Sequence, residues 1–232
     1  MTMAPNAFAT WMAAMPIPQG VTEEQAAAAM LQGMTAHYLS HDSYPLKNGY
    51  TALIHAAAGG VGLLLVQMAH NIGARVIATA STEAKRAACL EEGADHAIDY
   101  AGGFVDAVKA LTGGLGVDIV YDPIGGKVGE DSLRCLAWGG RLLILGFLGG
   151  GPSTIRSNYL LIKGIDAVGV RIGGLNEANP ALAAANMKTL VELAGAGKLR
   201  PRISHRFRLD QAAEALRAVI DRSVIGKAVL VS

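Results

Sequence analysis

From residue 51 onward, short apolar runs alternate with longer stretches in which apolar side chains recur every three to four positions. A short apolar run between turn residues is typical of a buried strand, and the longer spacing is typical of an amphipathic helix. The pattern predicts strands at 51–57, 75–80, 96–100, 117–122, 141–147 and 165–171. It predicts helices at 61–72, 83–92, 103–112, 127–137 and 156–163. This alternation favours an α/β fold, a doubly wound parallel sheet with helices on both faces.

Further elements are predicted on either side of the sheet. Thr22 starts a helix that carries Glu23 and Glu24 in its first turn, where carboxylates oppose the positive end of the helix dipole, and 25–38 continues it. After the sixth strand, the pattern indicates a long helix, a strand-like segment, a short helix and a closing strand at 180–194, 199–209, 210–220 and 228–231. Four arginines lie in or beside the strand-like segment, at 200, 202, 206 and 208. One solvated strand face is the simpler interpretation, and a specific anion site is the alternative.

Composition excludes several classes of function. A chain of 232 residues is long enough for one large domain or one and a half ordinary ones, and its net charge of +1 gives no electrostatic reason to bind nucleic acid. The longest apolar runs, such as 142–148, are too short to span a bilayer. Cys89 and Cys135 lie inside apolar helical patterns, which predicts small buried core residues in a reducing compartment.

The first twenty residues are apolar but contain no lysine or arginine. A secretory signal needs a positively charged start, and a transit peptide needs arginine. We therefore expect neither kind of leader and a cytoplasmic protein.

The most informative stretch is the turn Ala57-Ala58-Gly59-Gly60-Val61-Gly62, which joins the first strand to the first helix of the sheet. Glycines let the backbone approach a pyrophosphate, and the following helix aims its free N–H groups at the anion. Alanine stands in the first glycine place of the usual Gly-x-Gly-x-x-Gly pattern. A plain strand-to-helix crossover is the alternative, but Gly73 at the predicted helix end and a second strand directly after it favour nucleotide binding.

Residues at the end of the second predicted strand indicate which nucleotide binds. An acid ~20 residues past the glycine turn would bind the ribose 2′-hydroxyl of NAD, but Thr79, Ala80 and Ser81 occupy this position. Lys85 follows one helical turn later. An absent carboxylate beside an ammonium group favours the 2′-phosphate of NADPH. The alternatives are that Ser81 is an ordinary helix N-cap and Lys85 an ordinary solvated lysine.

Eight blocks, in this order, resemble the zinc-independent, zeta-crystallin-like quinone oxidoreductase branch of the medium-chain dehydrogenase/reductase superfamily. They are 20–28, 32–38, 55–62, 80–85, 93–100, 111–118, 121–126 and 225–227. The resemblance runs from about Pro18 to the C-terminus, and the alanine-substituted glycine turn is common in this branch. It implies a Rossmann domain with a remnant of a GroES-like catalytic lobe. The domains implied are the lobe remnant at 1–21, the NADPH-binding domain at 22–199 and a C-terminal segment of the lobe at 200–232.

The resemblance also implies a set of cofactor contacts, while no catalytic residue is assigned because hydride transfer needs no protein nucleophile. The contacts are Gly59, Gly60, Val61 and Gly62 at the pyrophosphate; Ser81, Lys85 and Tyr100 at the 2′-phosphate; Pro123, Ile124 and Gly125 after the fourth strand; Gly146, Phe147 and Leu148 near the nicotinamide; Lys227 near the chain's end; and Thr35. For Phe147 and Leu148, core residues at a strand end are an equal alternative.

Zinc is not expected. The zinc enzymes of the superfamily take a ligand from the region corresponding to Gln32-Gly33, which offers no cysteine here. His37 and His41 are four residues apart without an evident third ligand, and His55 is more typical of a satisfied core residue.

One motif of a different reductase class is present. Tyr159 and Lys163 have the Tyr-x-x-x-Lys spacing of the short-chain dehydrogenase acid–base pair. The serine and the glycine loop of that class are missing, so we interpret both as ordinary helix residues.

Two functions remain open. One is an NADPH-dependent oxidoreductase that transfers hydride to a quinone or another activated double bond. The other is a non-catalytic NADPH-binding or regulatory module, or a fragment of a longer reductase such as an enoyl reductase. A homodimer through the edge strand 165–171 is also expected, because the family pairs such edges.

Overall fold

The computed structural model describes residues 16–100 and 102–231, and its centre is a six-stranded parallel sheet. The strands are β1 (Thr51–Ile54), β2 (Arg75–Thr79), β3 (His96–Ile98), β4 (Val117–Asp122), β5 (Leu136–Ile144) and β6 (Asp166–Gly169). Their order in the sheet is β3-β2-β1-β4-β5-β6, with every neighbouring pair parallel. The order reverses between β1 and β4, where an open α/β sheet binds its ligand. The predicted doubly wound, Rossmann-like sheet is confirmed.

Helices cover both faces of the sheet. They are α1 (Glu23–His37), α2 (Gly60–Ile72), α3 (Glu83–Glu91), α4 (Phe104–Leu111), α5 (Gly126–Cys135), α6 (Ser157–Lys163), α7 (Ile172–Ala178) and α8 (Pro180–Gly195). Adjacent residues of β1 separate the two cores: Ile54 belongs to the cluster with α2 and α8, and Leu53 to the cluster with α4 and α5. Successive strand side chains point to opposite faces, so a strand covered on both sides is apolar at every position.

The C-terminal region forms a second, smaller sheet. It consists of β7 (Ile203–Arg208), a 3₁₀ turn (Leu209–Gln211), α9 (Ala212–Ile220) and β8 (Lys227–Val231). β7 and β8 are parallel and are not part of the six-stranded sheet. The amide N–H of Gly226 donates to the carbonyl of Ala58 at 2.8 Å, so this segment is joined to the glycine turn itself.

The structure differs from the predicted elements in three places. A π-helix, Tyr38–Ser43, continues α1, and α7 lies between β6 and α8, where no element was predicted. The helix predicted at 127–137 ends at Cys135, because β5 begins at Leu136, which pairs with Val117 of β4. Of the lobe remnant predicted at 1–21, residues 1–15 lie outside the described part of the chain.

Both cysteines are buried free thiols, as the apolar helical patterns predicted. Burial raises the pKa of Cys89 to about 12 and that of Cys135 to about 12. Within residues 16–100 and 102–231, no helix is both long enough and apolar enough to cross a bilayer.

Candidate cofactor site

The glycine turn leaves no room for side chains where it meets α2. Gly59 is the N-cap of α2 and is exposed, and the first N–H that bonds back is that of Leu63, to the Gly59 carbonyl at 3.0 Å. The N–H groups before it point out of the helix end. A Cβ on Gly62 would lie 2.5 Å from the Ala57 carbonyl oxygen, so this position accepts glycine only. The glycines of the turn therefore place bare backbone at the positive end of a helix.

The shape of the turn is fixed by hydrogen bonds to three other segments. Ala56 has a φ of +48°, in the left-handed region that alanine rarely adopts. Its N–H donates to the Tyr100 hydroxyl at 2.9 Å, and its carbonyl accepts from Gly59 N at 3.0 Å. Ala57 N donates to the Thr79 carbonyl at 3.0 Å. A strained conformation persists only where its surroundings determine it, and here β2, the end of β3 and the residue before β8 do so.

A buried row of polar side chains lies beneath this turn. The Tyr100 hydroxyl lies 2.7 Å from Thr79 Oγ1, which lies 3.0 Å from His55 Nδ1, and His55 Nε2 lies 2.8 Å from Ser132 Oγ. Ser132 donates in turn to the Val128 carbonyl. Complete burial lowers the pKa of His55 to about 3, so its ring is neutral. His55 is a satisfied core residue, as predicted, and both ring nitrogens have partners.

The residues expected at the 2′-phosphate lie at the ends of β2 and β3. Lys85 Nζ donates to the Arg222 carbonyl oxygen at 2.5 Å, and its role at the 2′-phosphate stays a prediction. Thr82, not Ser81, is the N-cap of α3, and its hydroxyl accepts from Lys85 N at 3.3 Å. Ser81 is exposed, and the N-cap alternative for it is wrong. Arg222 was not identified from the sequence, because an isolated arginine in a polar turn carries no pattern.

Two further predicted contact segments are hydrogen-bonded to each other. The N–H groups of Ile124 and Gly125 donate to Asp122 Oδ1 at 2.8 and 3.0 Å. Beyond the strand ends, Leu148 N donates to the Pro123 carbonyl at 3.0 Å. Burial raises the pKa of Asp122, and the two N–H groups oppose this rise.

Phe147 and Leu148 are 52% and 68% exposed. The alternative that they are core residues at a strand end is therefore wrong. Gly146 precedes them at the point where β5 ends, so all three follow the carboxyl end of the strand.

Lys227 closes the other side of the turn. A Cβ on Gly60 would lie 2.7 Å from Lys227 Cδ and 3.2 Å from Gln32 Cγ, so the lysine stem and α1 both cover Gly60. Thr35 lies about one helical turn beyond Gln32, and its hydroxyl donates to the Leu31 carbonyl at 2.8 Å. α1, the start of α2 and the start of β8 thus meet at one place. The hydrogen bond of Thr35 is internal to α1, and its contact with the nicotinamide stays a prediction.

The arginine-rich segment is paired with carboxylates. Arg206 Nε lies 2.7 Å from Glu24, Arg202 Nη1 lies 2.6 Å from Glu91, and Arg208 Nη2 lies 2.9 Å from Asp210. These contacts hold β7 to α1 and α3, and they favour the structural interpretation over the anion site.

The histidine pair expected not to bind metal has its rings stacked. The His37 and His41 centroids are 4.2 Å apart, and burial, followed by the charge of His41, lowers the pKa of His37. In the part of the chain that the structure describes, no group of three His, Cys, Asp or Glu side chains is placed to hold a metal ion.

Tyr159 and Lys163 lie far from the glycine turn along the sheet. Lys163 Nζ donates to the Leu136 carbonyl at 2.5 Å and to the carbonyls of Leu133 and Arg134. These carbonyls lie where α5 ends and β5 begins, at the amino-terminal edge of the sheet. Lys163 therefore caps α5, and its helix lies at the opposite end of the strands from the candidate site.

Comparisons with known proteins agree with this geometry. A family model described as zinc-binding dehydrogenase matches residues 60–187. Quinone oxidoreductase-like protein 2 of Rattus norvegicus is 35% identical over 216 residues, which cover 92% of this chain and 62% of that protein. The quinone oxidoreductase of Pseudomonas aeruginosa is 37% identical over 215 residues, covering 92% and 66%. The crystal structure of Escherichia coli quinone oxidoreductase complexed with NADPH superposes with a TM-score of 0.86 at 30% identity, covering 94% of this chain and 68% of that one.

The chain spans about 62% of the length of the curated relatives it matches first. The match covers 92% of this chain, so it includes the six-stranded sheet.

Proposed function

Because this chain belongs to the zinc-binding dehydrogenase family of the medium-chain dehydrogenase/reductase superfamily, together with quinone oxidoreductases, we propose that it binds NADPH and transfers hydride to a quinone or another activated double bond. The observation that carries the proposal is the glycine turn at the start of α2. Gly62 accepts no side chain, Gly59 is exposed, and the first turn of α2 carries no acidic residue. Such a turn suits a pyrophosphate.

The residues around the turn fit a dinucleotide. The stem of Lys227 covers Gly60, and Gly60 and Val61 supply N–H groups from the open helix end. A negative ligand here gains from the helix dipole and from the lysine at once. Val61 is half-buried, and its role is a backbone one.

The preference for NADPH rests on the end of β2. No carboxylate occupies positions 80–82 directly after Thr79, and Lys85 lies against the Arg222 backbone carbonyl. In this proposal Lys85 exchanges the Arg222 carbonyl for the 2′-phosphate, and Ser81 adds an exposed hydroxyl. A bond from the ammonium to a charged phosphate is stronger than the bond to an uncharged carbonyl that it replaces.

The mechanism requires orientation and a dry surface, and no protein nucleophile. Bound NADPH would supply the hydride. The hydrogen-bonded loops 123–125 and 146–149 would orient the nicotinamide, with Phe147 and Leu148 presenting exposed apolar side chains to it. We assign the acceptor to the class of quinones and enones, and the protein to the cytoplasm.

The domain assignment follows the same proposal. Residues 22–199 form the NADPH-binding domain, and 200–232 form a C-terminal segment that packs against it in the described part of the chain. Residues 1–21 would belong to the catalytic lobe.

A second candidate is a non-catalytic NADPH-binding or regulatory module, or a fragment of a longer reductase. The observation favouring it is that this chain spans about three fifths of its relatives' length, while the shared part includes the cofactor site. In this second candidate, catalysis depends on parts that the relatives have in addition, whereas binding does not.

One experiment separates the two candidates. NADPH binding is measured by calorimetry, and NADPH oxidation is then followed at 340 nm with a panel of quinones and enones. Binding with turnover supports the reductase. Binding without turnover on any acceptor supports the module, and absence of NADPH binding contradicts both.

A homodimer is proposed through β6, which the structure places at the edge of the sheet. A strand edge with unpaired backbone groups pairs readily with a second copy. Light scattering at a mass of twice 24.0 kDa would support the dimer, and a monomer mass would contradict it.

A further inference from the structure

A cavity lies at the amino-terminal edge of the sheet, at the opposite end of the strands from the glycine turn. It has a volume of about 460 Å³. It lies where α4, α5 and α6 end and where β4 and β5 begin. Helices of a doubly wound sheet run antiparallel to its strands, so their carboxyl ends meet at this edge.

Three cationic side chains line this cavity: Lys109 from α4, Arg134 from α5 and Lys163 from α6. None of the residues that line it is acidic. The nearest carboxylate to Arg134 is Asp131, at 3.9 Å, and Asp131 also binds Lys127. Lys109 has no carboxylate partner among the residues that the structure describes. Three positive charges therefore share one cavity, and they are opposed there by helix-end carbonyls, which Lys163 binds, and by Asp131 beside Arg134.

All three cations lie close enough to the Cys135 thiol to change its pKa. Burial raises the pKa of the Cys135 thiol to about 12, while Lys163, Lys109 and Arg134 all act to lower it. Burial lowers the pKa of Lys163, and the charge of Lys109 lowers it further. Lys163 donates to three carbonyls where α5 ends, and these bonds fix the position of its ammonium group. Lys109 and Arg134 therefore provide the N–H donors for a ligand.

An aromatic wall completes the cavity. The Trp138 indole is 79% exposed, and a Cβ on Gly164 would lie 3.4 Å from its Cζ2. One part of the ring is therefore fixed against the Gly164 backbone while the rest is open. Tyr159 and Leu115, which is 80% exposed, lie in the same lining. Trp138 and Leu115 thus expose apolar surface within one lining, and apolar surface that is contiguous and rimmed by polar groups marks an interaction site.

We propose that this cavity binds a small organic anion with a flat aromatic ring, whose ring stacks on Trp138 and whose phosphate or carboxylate contacts Lys109 and Arg134. Aromatic stacking supplies area and orientation, and the cations supply attraction that salt screens. The site is separate from the glycine turn, so its occupation does not require NADPH to leave.

The test uses the full chain saturated with NADPH, so that an anion cannot occupy the glycine turn. The probe is 1-naphthyl phosphate, titrated by calorimetry and by fluorine NMR of protein labelled with 5-fluorotryptophan. The chain contains two tryptophans, so the spectrum has two assignable resonances. We expect saturable binding that weakens with added salt and shifts the Trp138 resonance.

Variants and partial probes decide the outcome. Trp138→Ala and Arg134→Gln should each weaken binding about tenfold, Trp138→Phe should retain most of it, and Lys188→Gln, an exposed lysine on α8, should not change it. Retained NADPH affinity in each variant shows that the fold is intact. The proposal is overturned if the probe does not bind saturably, if the first two variants bind it as well as the parent chain, or if inorganic phosphate or 1-naphthalenemethanol binds equally tightly.

Discussion

The hydroxyl of Tyr100 accepts a hydrogen bond from the N–H of Ala56, at 2.9 Å, and helps to hold this residue, at the start of the glycine turn, in its left-handed conformation. Tyr100 was expected at the 2′-phosphate of NADPH, and that contact stays a prediction. The observed bond gives the residue a role at the turn itself, and the two roles have different consequences.

Tyr100→Phe separates these roles. The substitution leaves the Ala56 N–H without its partner, and we expect a loss of about 1–3 kcal/mol in the free energy of unfolding. If Tyr100 acts through the turn, NADPH and NADH affinities should fall by the same factor. Both are measured by calorimetry. A loss confined to NADPH would instead show direct contact with the 2′-phosphate.

Lys85→Ala should weaken NADPH binding about 10- to 100-fold, because a charge-assisted bond to the phosphate is lost. NADH, which lacks this phosphate, should bind nearly as before. Lys188→Ala removes an exposed lysine from α8 and serves as the control. Equal losses for the two nucleotides would mean that the phosphate lies elsewhere.

Gly62→Ala tests the glycine turn. Its Cβ would lie 2.5 Å from the Ala57 carbonyl oxygen, so the backbone must shift, and we expect about 1–3 kcal/mol of destabilisation with loss of dinucleotide binding. The matched control is Gly173→Ala in α7, where a Cβ meets nothing within 4 Å. That variant should be neutral or more stable by urea denaturation. Unimpaired NADPH binding by Gly62→Ala would contradict the assignment of the site.

His55 should make the protein sensitive to acid. Its pKa is lowered to about 3 in the folded state from 6.5, so the unfolded state binds a proton that the folded state does not. The stability that the neutral His55 ring gives the folded state is fully present above about pH 6.5. As the pH falls from there toward 3, the free energy of unfolding declines by about 1.4 kcal/mol per pH unit. Urea denaturation at several pH values measures this slope.

His55→Asn should flatten the decline relative to the parent chain, and His70→Asn, at an exposed position, should not. Parallel pH profiles for the parent chain and His55→Asn would contradict the prediction.

The central strands of the sheet could be predicted from the sequence because most of their positions are apolar and buried. Strands buried on both faces carry this signal within a few residues. β1 illustrates it, since Leu53 and Ile54 belong to opposite cores. The glycine turn was also predictable, because Gly62 has no sterically possible replacement.

Other parts of the site depended on contacts between distant residues. Ser81 and Thr82 are both good helix caps, and only the tertiary position of α3 shows that Thr82 is used. Arg222 reaches Lys85 through a backbone carbonyl, which any residue could provide. The exposure of Phe147 and Leu148 results from the loop beyond β5 bonding to Pro123 and Ile124, and no periodicity records that.

The hydrogen bond from Gly226 to Ala58 has a consequence for how the protein is made. The six strands of the central sheet leave the ribosome before residue 226 does, so the sheet can form while the turn still lacks Lys227 and its covering strand. If the turn holds the proposed cofactor, we expect tight binding only after residues 226 and 227 have been synthesised.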